Sequence, residues 1–161
     1  MDSTTRPSES TAIVPLDPRS PAQIEGAMGQ LHAIENATRR QRLHLTFIYD
    51  ARSLWTDDGA RCMEEWLRAK FSMSWSSARD FLRVAHALED LPEIAGAFEA
   101  GVLSWDQLLP LIEIATPETD AELAHSAQGL SVPQLASLAR RRRAITAQEA
   151  NEAHRRRRLK L

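Results

Sequence analysis

Catalysis by side chains needs groups that converge, and the five histidines (His32, His44, His86, His125 and His154) show no such convergence in the sequence. None forms an H-E-x-x-H or His-x₃-His pair, the spacings that place two metal ligands on one helical face. Asn151-Glu152-Ala153-His154 holds an asparagine and a histidine close together. No upstream histidine, however, lies at the spacing of a ββα-metal nuclease. A G-x-S-x-G elbow, a P-loop and a dinucleotide-binding glycine pattern are all missing. Cys62 is the only cysteine, which excludes an internal disulfide and a cysteine-based zinc site. The expectation is a chain that is not an enzyme, needs no metal or cofactor, and keeps its histidines in exposed or capping roles.

The arginines carry a different chemistry. A net charge of -2 divides into -9 over residues 1–139 and +7 over residues 140–161. Such asymmetry suits a basic arm that meets a polyanion. The plainer alternative is a basic helix end that pairs with the acidic body or with a neighbouring subunit. Arg140, Arg141, Arg142 and Arg143 are consecutive, as are Arg155, Arg156, Arg157 and Arg158, so on a helix each run fans around the axis. Glu152 can pair with Arg156 at i,i+4, worth only a few tenths of a kcal/mol. Most of this charge is therefore free for phosphates, unless a further segment of protein covers it.

The elements that must position these groups read as helices. Residues 1–19 are rich in Ser, Thr and Pro and are expected to be a disordered leader, with one helical domain over 20–161. Ser20-Pro21-Ala22-Gln23 is a strong helix start, and Ile24, Met28, Leu31 and Ile34 open a helix expected to run to about Leu54. Its polar middle, Thr38–Arg42, is expected to be a kink or an exposed basic girdle. Amphipathic helices follow over 60–71, with Met63, Trp66, Leu67 and Phe71 inward, and from Trp75 towards Asp90, with Ala78, Phe81, Leu82, Ala85 and Leu88 inward. Leu91-Pro92 begins a short helix that Gly101 ends. Further starts fall at Ser104–Gln107, Thr116-Pro117, Ser131–Gln134 and Thr146–Glu149. The fold class is all-α, with about eight helices, a long N-terminal helix and a helix-turn-helix-like core. No stretch reaches the roughly 20 apolar residues that a membrane span needs. No signal-peptide pattern is visible, so a cytoplasmic location is expected.

A helix over 60–71, a three-residue turn and a helix over 75–90 match the helix-turn-helix layout, whose second helix enters the major groove. Ser76, Ser77, Arg79, Asp80 and Arg83 then point outward, and serines and arginines suit phosphates and guanine edges. The turn lacks the glycine often found there, and Asp80 repels phosphate unless it pairs with Arg79 or Arg83. The alternative is a helical hairpin whose polar face is merely wet. Trp55, Trp66, Trp75 and Trp105 sit at or near helix ends, where core packing is the expected role. Base stacking is the rival use, strongest for Trp75.

Two resemblances extend this reading. Ala78 to Ala115, with its Leu88–Pro92 break and Gly101-Val102-Leu103-Ser104 turn, resembles the DNA-binding core of ParB-type partition proteins. A wider likeness covers nearly everything from Leu31 onward. It rests on Asp58-Gly59-Ala60, Glu65-Trp66-Leu67, Ser77-Ala78-Arg79, Arg83-Val84-Ala85, Leu91-Pro92, Ala115-Thr116-Pro117-Glu118-Thr119 and Ala139–Arg143. These segments are similar to an actinobacterial domain-of-unknown-function family that precedes HNH endonuclease modules, including the mycobacterial thirteen-E-twelve repeat proteins. Family members run past the Arg-rich helix into a nuclease, whereas this sequence stops at Leu161. The resemblance thus implies a DNA-associated, non-catalytic front part without the HNH module. The expected partner is double-stranded DNA, which would make the protein nucleoid-associated. DNA-binding candidates are Ser76, Ser77, Arg79, Arg83, Arg140–Arg143 and Arg155–Arg158. The alternative is a protein-interaction or regulatory module that docks on a partner or forms a homodimer through its long first helix.

Overall fold

A computed structural model of the chain describes the backbone of residues 19–158 and the side chains of residues 19–145. The expected leader and the Arg155–Arg158 side chains lie outside the described residues. The described residues form seven α-helices and one 3₁₀ turn, with no strand among them. The helices are α1 (Pro21–Ala51), α2 (Met63–Phe71), α3 (Trp75–Ala87) and α4 (Pro92–Glu99). They continue with α5 (Trp105–Leu111), α6 (Asp120–Ala127) and α7 (Val132–Arg158). The 3₁₀ turn, Leu54–Asp58, links α1 to α2.

Local chemistry sets most of the starts. Ser20 Oγ accepts from the Gln23 amide at 3.3 Å while Gln23 Oε1 accepts from the Ser20 amide at 2.8 Å, a complete capping box ahead of Pro21. Ser104 and Gln107 repeat it for α5 at 3.3 and 2.8 Å. The Gln107 side-chain Nε2 also donates to the carbonyls of Ala127 and Leu130, which ties α5 to the end of α6. Gly101 ends α4 with φ +77°; the amides of Gly101 and Val102 close on the carbonyls of Phe98 and Ala97. An added Cβ at Gly101 would meet the Ala33 Cα at 3.0 Å, so glycine is needed for close approach to α1 as well as for the turn.

Four expectations need correction. The first helix ends at Ala51, because Ser53 turns left-handed at φ 52° and starts the 3₁₀ turn. Its polar middle does not break the helix; Thr38, Gln41 and Arg42 are exposed, but Arg39 and Arg42 lie over aromatic rings and Arg40 pairs with Glu89, so the basic girdle is only partly free. Thr116-Pro117 is a turn rather than a helix start, and α6 begins at Asp120. The start expected at Thr146 is absorbed into a continuous α7, since neither Gly nor Pro occurs between Gln134 and Arg158 to interrupt it.

Asp120 explains how α4 begins. Leu91 has no side chain able to cap, and Pro92 has no amide hydrogen. The next two amides, Glu93 and Ile94, donate to Asp120 Oδ2 and Oδ1 at 2.7 and 3.0 Å, so a buried carboxylate from α6 caps α4. A core of Leu43, Met63, Leu67, Phe81, Val84, Leu88, Ile94, Phe98, Leu108, Leu111, Leu123 and Leu135 joins all seven helices. Each such side chain contributes roughly 1.5–3 kcal/mol when fully removed from water. Helix α3 packs on both α1 and α2, and α7 packs on α5. Helix α5 also touches α3, and through it the outer face of α3 is set relative to the start of the Arg-rich helix.

Candidate nucleic-acid interface

The α2–turn–α3 unit depends on one residue that the sequence does not advertise. Ser72 adopts φ 53°, ψ 34°, the left-handed conformation that glycine usually supplies in such a turn. Ser74 then caps α3, its Oγ accepting from the Ser77 amide at 3.0 Å. The same hydroxyl lies 3.0 Å from Ser76 Oγ and donates to Ser77 Oγ at 2.8 Å. Both expected serines are thus exposed at the head of α3, already joined in a small hydroxyl network. At the far end of the preceding linker, Trp66 Nε1 donates to Asp58 at 2.6 Å and Lys70 pairs with it at 3.1 Å. Those bonds hold the Asp58 carboxyl below its ordinary value and brace α2.

Ala78, Phe81, Val84 and Ala85 form the buried face of α3, while Leu82 is only half-buried. Val84 therefore takes the central place expected for Leu82. The outward face carries Arg79 and Arg83, as the helical spacing requires. Their states differ. Arg79 is exposed and has no ion-pair partner among the described residues. Arg83 is held between two carboxylates, Asp80 at 3.3 Å and Glu113 at 3.6 Å. Glu113 also pairs with Arg143 at 3.2 Å through its other oxygen. One carboxylate thus joins Arg83 on the outer face of α3 to Arg143 in the basic run of α7. Arg142 reaches Glu122 at 3.5 Å, while Arg140 and Arg141 are exposed with no carboxylate partner among the described residues. Arg142 and Arg143 thus pair with the acidic body, as the plainer alternative expects, while Arg140 and Arg141 face solvent.

Aromatic rings supply the second feature. Trp75 is 45% exposed, unlike Trp55, Trp66 and Trp105, which are half-buried as expected for core packing. The Arg68 guanidinium lies 4.3 Å from the centroid of the Trp75 ring, and Arg68 Nε is buried without a hydrogen-bond partner. Arg42 stands 4.5 Å from the Phe81 ring and 5.9 Å from Phe71, and Arg39 stands 5.3 Å from Trp105. Burial lowers the Arg42 pKa, helped by the neighbouring Arg39 charge. It stays protonated, because a guanidinium starts so far above neutral pH. Sequence reading missed Arg68 and Glu113, and the rings beneath Arg39 and Arg42; those partners lie on other elements, which no local pattern reports.

The histidines do not assemble a catalytic centre among the described residues. His86 Nε2 contacts Asp50 Oδ2 at 2.7 Å, and Trp55 Nε1 donates to the other Asp50 oxygen at 3.0 Å. His44 and Arg40 both contact Glu89, at 3.0 and 3.2 Å. Each set clips α1 to α3 or to the turn just after it, and no hydroxyl or thiol hydrogen-bonds either ring among the described residues. No group of three or more His, Cys, Asp or Glu side chains could hold a metal ion there. No helix of the described residues is long and apolar enough to cross a membrane.

These features define an all-helical fold with a long first helix, in which Arg83 of α3 and Arg143 of α7 share a carboxylate. The chain belongs to the family described as a domain of unknown function (DUF222), which it matches over residues 18–161. No curated protein and no solved structure matches it.

Proposed function

We propose that this chain is a non-catalytic DNA-binding module that resembles the N-terminal part of an HNH-endonuclease-type protein. Helix α3 would lie in a major groove with Arg79 at base edges, and Ser76, Ser77 and the α7 arginines would hold flanking phosphates. The observation that carries this reading is Glu113, which brings Arg83 of α3 and Arg143 of α7 onto one flank. The resemblance to an actinobacterial, HNH-associated family supports the same placement, and a nucleoid-associated cytoplasmic location follows from it. The test is a fluorescence-anisotropy titration of duplex DNA at two salt concentrations. Three phosphate contacts should weaken binding roughly 40-fold between about 50 and 200 mM salt. Absence of binding at the lower salt, or binding indifferent to salt, rejects the proposal.

A second reading, a module that forms a homodimer or docks on a helical partner, is favoured by α1. Met28, Leu31, Ile34 and Leu45 are each at least 60% exposed along this 31-residue helix. No residue before Asn36 is buried in α1, although Gly26 and Gly29 weaken the helix there by roughly 1 kcal/mol each. A partner laid along that face would supply the packing which a weak helix otherwise lacks.

A further inference from the structure

Glu113 sits one residue beyond the C-cap of α5, inside a turn closed by the Ile114 and Ala115 amides on the Leu111 carbonyl. A carboxylate is poorly placed there, since the helix dipole presents its negative end. Two guanidinium groups from other helices offset that repulsion. Arg83 Nη1 approaches Oε1 at 3.6 Å and Arg143 Nη1 approaches Oε2 at 3.2 Å. Asp80 holds Arg83 from a second side at 3.3 Å, so this guanidinium keeps its orientation when one carboxylate leaves. Beside the bridge, Asp106 and Arg140 line the same groove between α5 and α7.

We propose that Arg83 and Arg143 together form a phosphate-binding site, which Glu113 occupies in the free chain as an internal anion. A carboxylate and a phosphodiester each carry one negative charge and offer two equivalent oxygens, so one can replace the other between the same pair of guanidinium groups. The Glu113 side chain lies largely out of solvent but at the surface, with 26% exposure, and rotation about its own bonds frees the site without moving a helix. The partner is the backbone phosphate of a duplex. This inference rests on the DNA-binding reading and adds to it a resident competitor. Two cations of the interface are withheld until a phosphate displaces the glutamate, which disfavours weak encounters more than fully docked ones.

The experiment compares wild type, Glu113→Gln and Arg83→Ala/Arg143→Ala, the last with and without Glu113→Gln, on one duplex at low salt. Glutamine keeps the shape and removes the charge. Glu113→Gln should tighten duplex binding about fivefold, the scale of one partly exposed ion pair. The gain should vanish in the background lacking both arginines. A second reading uses inorganic phosphate: side-chain resonances of Arg83 and Arg143 should shift at lower phosphate concentration in Glu113→Gln than in wild type. If wild type binds duplex but Glu113→Gln binds no tighter, the internal-anion proposal is overturned and the DNA-binding reading stands. If the gain survives without the two arginines, it reflects general charge and the proposal is again overturned. If no variant binds duplex, the DNA-binding reading fails, and a phosphate response confined to Glu113→Gln would still uphold the site itself.

Discussion

Asp120 is the side chain through which one substitution should reach furthest into the fold. Its two oxygens accept from the Glu93 and Ile94 amides at 2.7 and 3.0 Å, and it is only 3% exposed. Alanine there would leave both amides of the first turn of α4 without an acceptor, in a place where water has little access. Loss of an ordinary cap costs about 0.5–2 kcal/mol. Hydrogen bonds to a charged group are worth about 1.5–3 kcal/mol, and the two share one carboxylate, so they do not simply add. Asp120→Ala should therefore destabilise the protein by about 3 kcal/mol, or roughly 10 °C in Tm for a chain of this size. Asp120→Asn keeps one acceptor but turns an amide donor towards a backbone donor, and about 2 kcal/mol is expected. Urea unfolding followed by far-ultraviolet circular dichroism measures both, with the exposed Asp106→Ala as a control expected within about 0.5 kcal/mol of wild type. An Asp120→Ala protein as stable as that control would refute the claim that this carboxylate is what starts α4.

Other consequences are quickly checked. Ser72→Gly should stabilise the protein by about 1 kcal/mol by relieving the left-handed backbone, while Ser72→Val should destabilise it by more; thermal melts decide, and a destabilised glycine variant contradicts the turn geometry. Leu31→Glu/Ile34→Glu places charge on exposed apolar positions, so the helical spectrum should not change. If α1 mediates self-association, light scattering should find wild type dimeric and this variant monomeric; a monomeric wild type dismisses the homodimer.

What the sequence discloses depends on how local each cause is. The boxes at Ser20–Gln23 and Ser104–Gln107 can be read directly, because cap and partner lie three residues apart. The same local pattern misleads at Thr146, where continuous helix on both sides outweighs a cap that nothing forces to form. Ser72 is hidden for another reason: a serine in the left-handed region is held there by the packing of α2 on α3, and its residue type does not announce it. Asp120 and Glu93 are 27 residues apart, so the cap of α4 is invisible before the chain is folded. The arginines of the candidate interface divide in the same way. Helical spacing places Arg79 and Arg83 outward, yet only the approach of the α5 end to α3 and α7 reveals that Arg83 and Arg143 share a carboxylate. Arg39 and Arg42 read as a polar interruption of α1, and their stacking over Trp105 and Phe81 turns that interruption into a packed surface.

The most direct test of the DNA-binding account sets Arg79→Ala against Arg141→Ala on two duplexes, one selected from a random pool for tight binding and one of random sequence. Both arginines are exposed and lack a carboxylate partner among the described residues, so neither substitution should disturb the fold. Arg79→Ala is predicted to cost about 1–3 kcal/mol on the selected duplex and little on the random one, because a base edge differs between them. Arg141→Ala is predicted to weaken both alike and to lower the salt slope by about 0.9, because phosphates are the same along any duplex. Binding untouched by either substitution, or the same loss on both duplexes from both, would contradict the account.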